Sequence, residues 1–424
     1  MSFNDERLLE SEYVMGTYAR KPVELVRGRG MEVEDADGRT YLDFVSGVGA
    51  VSLGHCHPAL VAALEEQART LIHVSNYYYI EHRGEVARLV SDLLNACVVE
   101  DERTPWQSFF SNSGAEANEC AFKLARLHAK KRAAAAAQAA GADEDAVRAA
   151  AANAPRLIVT LDRSFHGRTL ATLAATAQPA KQEAFQPLPD GFVRTPLNDV
   201  EALEQLFASQ GDAICAVMVE CVQGESGVHP CTAAFLQAVR RLTGERGALF
   251  MCDEIQCGMY RCGTYPFGFQ HFGVTPDVVT IAKGIASGFP MGMCAARADV
   301  AASFDAGDHG STFGGSCLAV AAAEATVRTL AAEGLAENAE RVGAYLRAAL
   351  AKLPNVEEVR GLGLMVAVDL AEGVSAPDVV LAGLDAGLLL NYTGPRTLRF
   401  LPPLVCSEAD VDALARKLEG LLGA

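Results

Sequence analysis

Lys283 closes the apolar run Val278-Val279-Thr280-Ile281-Ala282 and is followed by Gly284. A run of that length rich in β-branched residues reads as a strand covered on both faces, and the carboxyl end of such a strand is where open α/β sheets collect ligands. A lysine in that position can also be an ordinary surface cation. If it is buried, desolvation lowers its pKa and leaves a nucleophilic amine suited to Schiff-base chemistry. The run Leu249-Phe250-Met251-Cys252 ends in Asp253 and Glu254, carboxylates at what should be the same sheet edge.

An acid beside a buried lysine is either a plain ion pair or the two ends of a cofactor site. Pyridoxal phosphate needs both, an amine for its aldehyde and an aspartate to keep its pyridine nitrogen protonated. The segment Ser111-Asn112-Ser113-Gly114-Ala115-Glu116-Ala117-Asn118 supplies small residues opening a helix after a strand, where free N–H groups and the positive helix end hold a phosphate. An N-cap by Ser113 with Glu116 at the capping-box position explains the same letters without a ligand. Phe165 could stack on a ring and Arg168 could grip a carboxylate with two parallel bonds. Ser311-Thr312-Phe313-Gly314-Gly315 offers hydroxyls and glycines for a second phosphate or substrate contact, or is simply a flexible loop.

These residues have to be positioned by alternating strands and helices, the signature of an α/β domain with a largely parallel sheet. Strands are expected at Ser108 to Phe110, Leu157 to Leu161, Ala213 to Val219, Ala248 to Cys252 and Val278 to Ala282, with a helix from about Glu116 to His128. After Gly315 the texture becomes helical through Thr329 and again from about Ala336 to Leu353. Strands at Gly363 to Leu370 and Thr397 to Leu401 and a helix at Ser407 to Leu422 then imply a smaller C-terminal α+β domain. The first fifty residues read as an arm with strand pieces at Met31 to Val33 and Thr40 to Phe44 around an Asp37-Gly38 hairpin turn. The alanine-rich stretch Ala133 to Ala154 reads as two short surface helices broken near Gly141. The division expected is an arm over 1–54, a large domain over 55–315 carrying the insertion 133–154, and a small domain over 316–424.

The chain has 424 residues, 50% of them hydrophobic, and a formal net charge of −17. That length can bury a substantial core, and that charge works against a nucleic-acid surface. No apolar run approaches membrane-spanning length and Met1 to Glu10 is polar, so a cytoplasmic location is expected. The 12 cysteines include no Cys-x-x-Cys pair, Cys252, Cys257 and Cys262 are spaced too widely for a zinc knuckle, and His55-Cys56-His57 reads as a turn entering a helix at Ala59 to Gln67. No metal is expected. Nucleotide loops are absent too, because no Gly-x-x-x-x-Gly-Lys-Ser/Thr occurs and Arg360 to Val366 lacks the third glycine of a dinucleotide loop.

Taken in order, Thr17-Tyr18, Leu53-Gly54-His55-Cys56-His57-Pro58, Asn112 to Glu119, Phe165-His166-Gly167-Arg168-Thr169, Gln223-Gly224-Glu225, Asp253-Glu254-Ile255-Gln256, Ala282-Lys283-Gly284, His309 to Gly315 and Leu398 to Leu404 resemble the class III (subgroup II) pyridoxal-phosphate aminotransferases. The resemblance covers nearly the whole chain. It implies fold type I, with a large mostly parallel sheet domain and a smaller α+β domain formed by the C-terminus and the N-terminal arm. Lys283 would carry the cofactor and shuttle a proton, Asp253 would pair with the pyridinium nitrogen, and Gln256 would contact the ring hydroxyl. Ile255 and Phe165 would sandwich the ring, and Ser113, Gly114 and Ala115 would bind the phosphate. Thr312 would reach the phosphate of a neighbouring subunit, with Ser311 approaching substrate there, since family sites are completed across a homodimer.

The same resemblance implies two carboxylate grips. An arginine at the position of Arg399 takes the α-carboxylate of glutamate and is neutralised by Glu225 when an ω-amine enters, while Tyr18 and Arg168 hold the distal carboxylate. The expected reaction moves the δ-amino group of N-acetylornithine to 2-oxoglutarate, in arginine biosynthesis. Alternatives are succinylornithine, ornithine, 4-aminobutyrate or succinyldiaminopimelate as donor, an aminomutase or decarboxylase, and a non-catalytic regulator on the same fold. Two departures bear on specificity, Cys221 where the family commonly has proline and Ser316-Cys317 where it has Asn-Pro.

Overall fold

The computed structural model describes residues 3–423, so Met1, Ser2 and Ala424, at the outer ends of the arm and the last unit, lie outside the described residues. Its central sheet has seven strands in the order Trp106–Ser111, Gly292–Arg297, Val278–Ala282, Leu249–Asp253, Ile214–Val219, Leu157–Leu161 and Phe192–Thr195. Gly292–Arg297 runs antiparallel to both its neighbours, and the remaining pairs are parallel.

The apolar runs become strands because helices cover both faces. Alternate residues of the inner strands divide between two cores: Val217, Val219, Phe250 and Cys252 pack with Phe235 and Val239 of helix Ala233–Arg246, whereas Ala216, Met218, Leu249 and Met251 meet Cys120, Ala121 and Leu124 of helix Gly114–Ala139. Asp253 pairs with Thr280 in the parallel register. Lys283, three residues beyond Thr280, therefore emerges at the same edge as Asp253.

The expected strands appear within a residue or two. Gly292–Arg297 and Phe192–Thr195 are additional. The first holds no β-branched residue, and it is a strand because Val278–Ala282 and Trp106–Ser111 supply partners on both sides. The alanine-rich stretch is a correction: its first half is the end of the single helix Gly114–Ala139, and a separate helix, Glu144–Ala152, follows a break where Gly141 has φ 80°. Alanine's propensity propagates a helix already nucleated upstream more readily than it starts a new one.

Two four-stranded sheets and a two-stranded ribbon of Val222–Gln223 with His229–Pro230 accompany the central sheet among the described residues. Val356–Leu362, Met365–Leu370, Thr397–Phe400 and Asn391–Tyr392 form an antiparallel sheet. The arm strands Leu25–Arg29, Glu32–Asp35 and Thr40–Asp43 are joined by Leu388–Leu389, parallel to the last of them, so the two ends of the chain share a sheet. Helix Cys317–Ala332 begins at Ser316, whose hydroxyl accepts from the Ala319 amide at 3.4 Å. Replacing Asn-Pro by Ser-Cys thus keeps a capped helix start.

Candidate active site

A cavity of about 380 Å³ opens at the carboxyl ends of the central strands, and Lys283, Asp253, Ile255, Gln256, Phe165 and the residues 112–115 border it. Lys283 starts a short turn, Lys283–Ala286, with φ 50°. That left-handed backbone costs a residue with a Cβ about 1 kcal/mol or more, a local strain held by the packed sheet edge. Among the described residues the amine has neither an acid nor a hydrogen-bond partner. Burial lowers its pKa from the ordinary 10.5; the charge of Glu225 opposes that shift and the charge of Arg399 adds to it.

Asp253 is 3% exposed. Its Oδ2 accepts from Asn118 Nδ2 at 2.9 Å and from His166 Nδ1 at 2.8 Å, and its Oδ1 accepts from the Ile255 amide at 3.1 Å. Asn118 is itself fixed, because its Oδ1 accepts from Thr280 Oγ1 at 2.7 Å and its amide also donates to the His166 carbonyl. Three donors hold this carboxylate in one orientation.

The helix Gly114–Ala139 presents its open end to the cavity. Ser113 caps it, accepting from the Glu116 amide at 3.2 Å, while the Glu116 carboxylate reaches back to the Asn112 amide at 2.7 Å. Gly114 and Ala115 stand at positions where a helix has no intrahelical acceptor for its amides. Small residues keep this end clear: a Cβ at Gly114 would lie 2.6 Å from Ile255 Cδ1, and one at Gly292 would lie 2.3 Å from the Ser113 carbonyl oxygen.

On the other side Arg399, 3% exposed, donates through Nη1 to Glu225 Oε1 at 2.7 Å, to the Gly224 carbonyl at 3.1 Å and to Gln256 Oε1 at 3.3 Å, and through Nη2 to Asn391 Oδ1 at 3.0 Å. Its Nε is buried without a partner. Gln256 Nε2 donates to Glu225 Oε1 at 2.9 Å, so both ends of this amide serve the Arg399–Glu225 pair. Burial would raise the Glu225 pKa, but the charge and hydrogen bond of Arg399 outweigh it and hold the carboxyl below its ordinary value.

Lys283, Asp253, Ile255, Gln256, Phe165, Arg168, Ser113, Gly114 and Ala115 all border one cavity, with Glu225 and Arg399 tied to it through Gln256. Tyr18 lies outside that lining and is 78% exposed. Ser311 and Thr312 also lie outside it; Ser311 accepts from Asn112 Nδ2 at 3.2 Å and Thr312 sits beside His73, Val74 and Ser75. Asn118, His166 and Glu220 are functional neighbours that the reading of the sequence passed over. Glu220 is 7% exposed; its Oε1 accepts from the Phe165 amide at 3.3 Å and its Oε2 has no partner. Burial, then the nearby charge of Asp253, pushes its pKa well above the usual carboxylate range. The signal was present, since Glu220 closes the apolar run 214–219 as Asp253 and Lys283 close theirs.

The donor set fits pyridoxal phosphate. An unpartnered amine, an oriented buried carboxylate, helix-end amides cleared of side chains and two apolar walls face the same space. A family profile described as aminotransferase class-III matches residues 15–422. The chain belongs to the class-III aminotransferases. These enzymes depend on pyridoxal phosphate. The chain is 45% identical to an acetylornithine aminotransferase of Gloeobacter violaceus over 97% of this chain and 96% of that one, and 42% identical to that of Caldanaerobacter subterraneus over 97% and 98%. Among solved structures, an ornithine aminotransferase from Toxoplasma gondii superposes with a TM-score of 0.87 at 30% identity, covering 100% of this chain and 95% of that one. An acetylornithine aminotransferase from Elizabethkingia anophelis gives 0.80 at 30%, covering 100% and 99%. This class-III aminotransferase therefore shares fold type I with both.

Proposed function

We propose that the enzyme moves the δ-amino group of N2-acetyl-L-ornithine to 2-oxoglutarate, giving N-acetyl-L-glutamate 5-semialdehyde and L-glutamate by a ping-pong route, as a step of arginine biosynthesis in the cytoplasm. The observation that carries the reading is the buried guanidinium of Arg399 held by one exchangeable acid, Glu225. An arginine neutralised in this way tolerates the uncharged methylene beside a δ-amine, and it accepts an α-carboxylate once Glu225 swings aside.

Bound in the cavity, pyridoxal phosphate supplies an aldehyde that takes up the amino group and a ring that withdraws electrons. Lys283 Nζ would hold the cofactor and, once the donor's amine displaces it, the freed amine would take the proton from the donor's δ-carbon and in the second half-reaction return one to the α-carbon of the acceptor. Asp253, steadied by His166 and Asn118, keeps the proton on the ring nitrogen. Ser113, Gly114 and Ala115 hold the phosphate, Phe165 and Ile255 flank the ring, and Gln256 serves the ring hydroxyl as well as the acid pair. Arg168 grips the distal carboxylate, with Tyr18 as its partner in that role.

The reading includes a homodimer in which Thr312 completes the partner's phosphate site and Ser311 approaches its substrate. Exposed large side chains support this: Ile72, Tyr77, Tyr78, Tyr79 and Phe313 are 58%, 91%, 67%, 105% and 61% exposed, residue types that favour burial against a partner. The three-part division at 54/55 and 315/316 belongs to the same reading. Steady-state turnover across acetylornithine, succinylornithine, ornithine, 4-aminobutyrate and succinyldiaminopimelate, with 2-oxoglutarate as acceptor, tests the donor. Acetylornithine ranking first supports the assignment, and acetylornithine ranking well below another donor defeats it.

A further inference from the structure

Arg168 and Lys181 converge on one aromatic ring. Arg168 Cζ lies 5.6 Å and Lys181 Nζ 5.7 Å from the centroid of Phe165, and both Phe165 and Arg168 line the cavity that contains Lys283. Among the described residues neither cation has an acid within ion-pair distance. Lys181 is partly buried and donates to the side-chain carbonyl of Gln178. Burial, then the like charge of Arg168, lowers its pKa, with Glu225 and Arg399 also within electrostatic reach.

In a chain of net charge −17, arginines such as Arg88, Arg241 and Arg360 pair with carboxylates. Arg168 borders the cavity and Lys181 stands behind it on the same ring; two such cations without an acid repel each other, and an anion supplied from outside relieves that repulsion. The shared ring of Phe165 sets them as a pair, since each gains from the aromatic ring while donors remain on both heads, Lys181 using one of its three on Gln178.

We propose that Lys181 is a specificity-determining residue of the distal-carboxylate pocket: together with Arg168 it holds the carboxylate farthest from the reacting carbon. The enzyme thereby favours ω-amino acids and 2-oxo acids with a carboxylate at that far end over amines that lack one. The inference deepens the proposed function and rests on Arg168 being the distal grip.

The test is calorimetric binding to the holoenzyme of glutarate, a dicarboxylate with no carbonyl to react, against butyrate, which lacks the second carboxylate. Loss of one charge-assisted contact predicts that Lys181→Met weakens glutarate about tenfold, with Lys181→Arg recovering most of the loss and butyrate moving less than about twofold in both. Lys181→Gln, which keeps a donor for Gln178 and removes the charge, gives the same reading should the methionine variant fold poorly. Glutarate affinity within about twofold of the parent in both uncharged variants overturns the proposal and leaves Lys181 as a fastener of the turn at Gln178. Arg168→Met is the separate arm: undiminished glutarate binding there overturns the distal-grip reading itself, whatever Lys181 does.

Discussion

Arg399 and Glu225 meet through one bond, Nη1 to Oε1 at 2.7 Å, and the same Oε1 accepts from Gln256 Nε2 at 2.9 Å. The acid is thus shared between a buried cation and a neutral amide that borders the cofactor cavity, so releasing the arginine leaves Glu225 with a partner already in place. Glu225 is the more exposed member, its side chain 23% accessible against 3% for Arg399, which makes it the one able to move. Arg399→Ala should slow the glutamate half-reaction by ~10²-fold more than the acetylornithine half-reaction, as expected when one partner of a desolvated charge contact is removed. Stopped-flow absorbance of each half-reaction measures this, and equal losses would remove the exchange from the mechanism.

The same pair sets a pH dependence of stability. Because Arg399 holds the Glu225 carboxyl below its ordinary value of 4.5, the pair's contribution is complete above that pH and fades as pH falls through the lower folded value. Urea unfolding of the parent and of Glu225→Gln should therefore differ at pH 7 and converge toward pH 3. A constant gap across that range would mean that the charge on Glu225 contributes nothing.

Lys283 predicts the opposite slope. Its folded pKa lies below 10.5, so the unfolded chain binds the proton more tightly and the penalty for burying this amine is largest below the folded pKa, easing as pH rises toward 10.5. Cofactor-free Lys283→Met should melt at a higher temperature than the cofactor-free parent at pH 7, and the difference should shrink by pH 10. Turnover of Lys283→Ala should fall by at least ~10³-fold with the circular dichroism spectrum retained; near-normal rates would dismiss the lysine's assigned role.

Asn118 ties Asp253 to Thr280. Asn118→Ala removes one donor from a buried carboxylate and should weaken retention of pyridoxal phosphate by about tenfold. Equilibrium dialysis followed by cofactor absorbance reads this directly, and an unchanged dissociation constant would make the bond incidental.

The exposed rings give a fifth test. Tyr78→Glu with Tyr79→Arg places charge on a surface whose rings are 67% and 105% exposed in the single chain. Sedimentation should then report a monomer without turnover, since Thr312 lies outside its own chain's cavity. A stable dimer or an active monomer would send the interface elsewhere.

Apolar runs that stop at a charged residue were enough to find Asp253 and Lys283, because a strand buried on both faces can hold a charge only at its end. The same rule reaches Glu220 by way of Ile214–Val219. Asn118 was readable in principle as a polar residue on an otherwise apolar helix face, where burial demands a partner. Gly292–Arg297 was not, since its residues have no strand preference of their own and its neighbours impose the conformation.

The order of residues determined which chemistry was possible: an amine, an acid and a helix opening on small residues, each at the end of an element whose period could be counted, together with two arginines. Tertiary structure decided which of them meet. Local patterning fixes where a strand ends but carries no information on what faces it across the sheet. The bonds of Asp253 to His166 and Asn118, of Gln256 to both members of the Arg399–Glu225 pair, and the convergence of Lys181 on Phe165 exist only because separate segments of the chain are packed around one cavity.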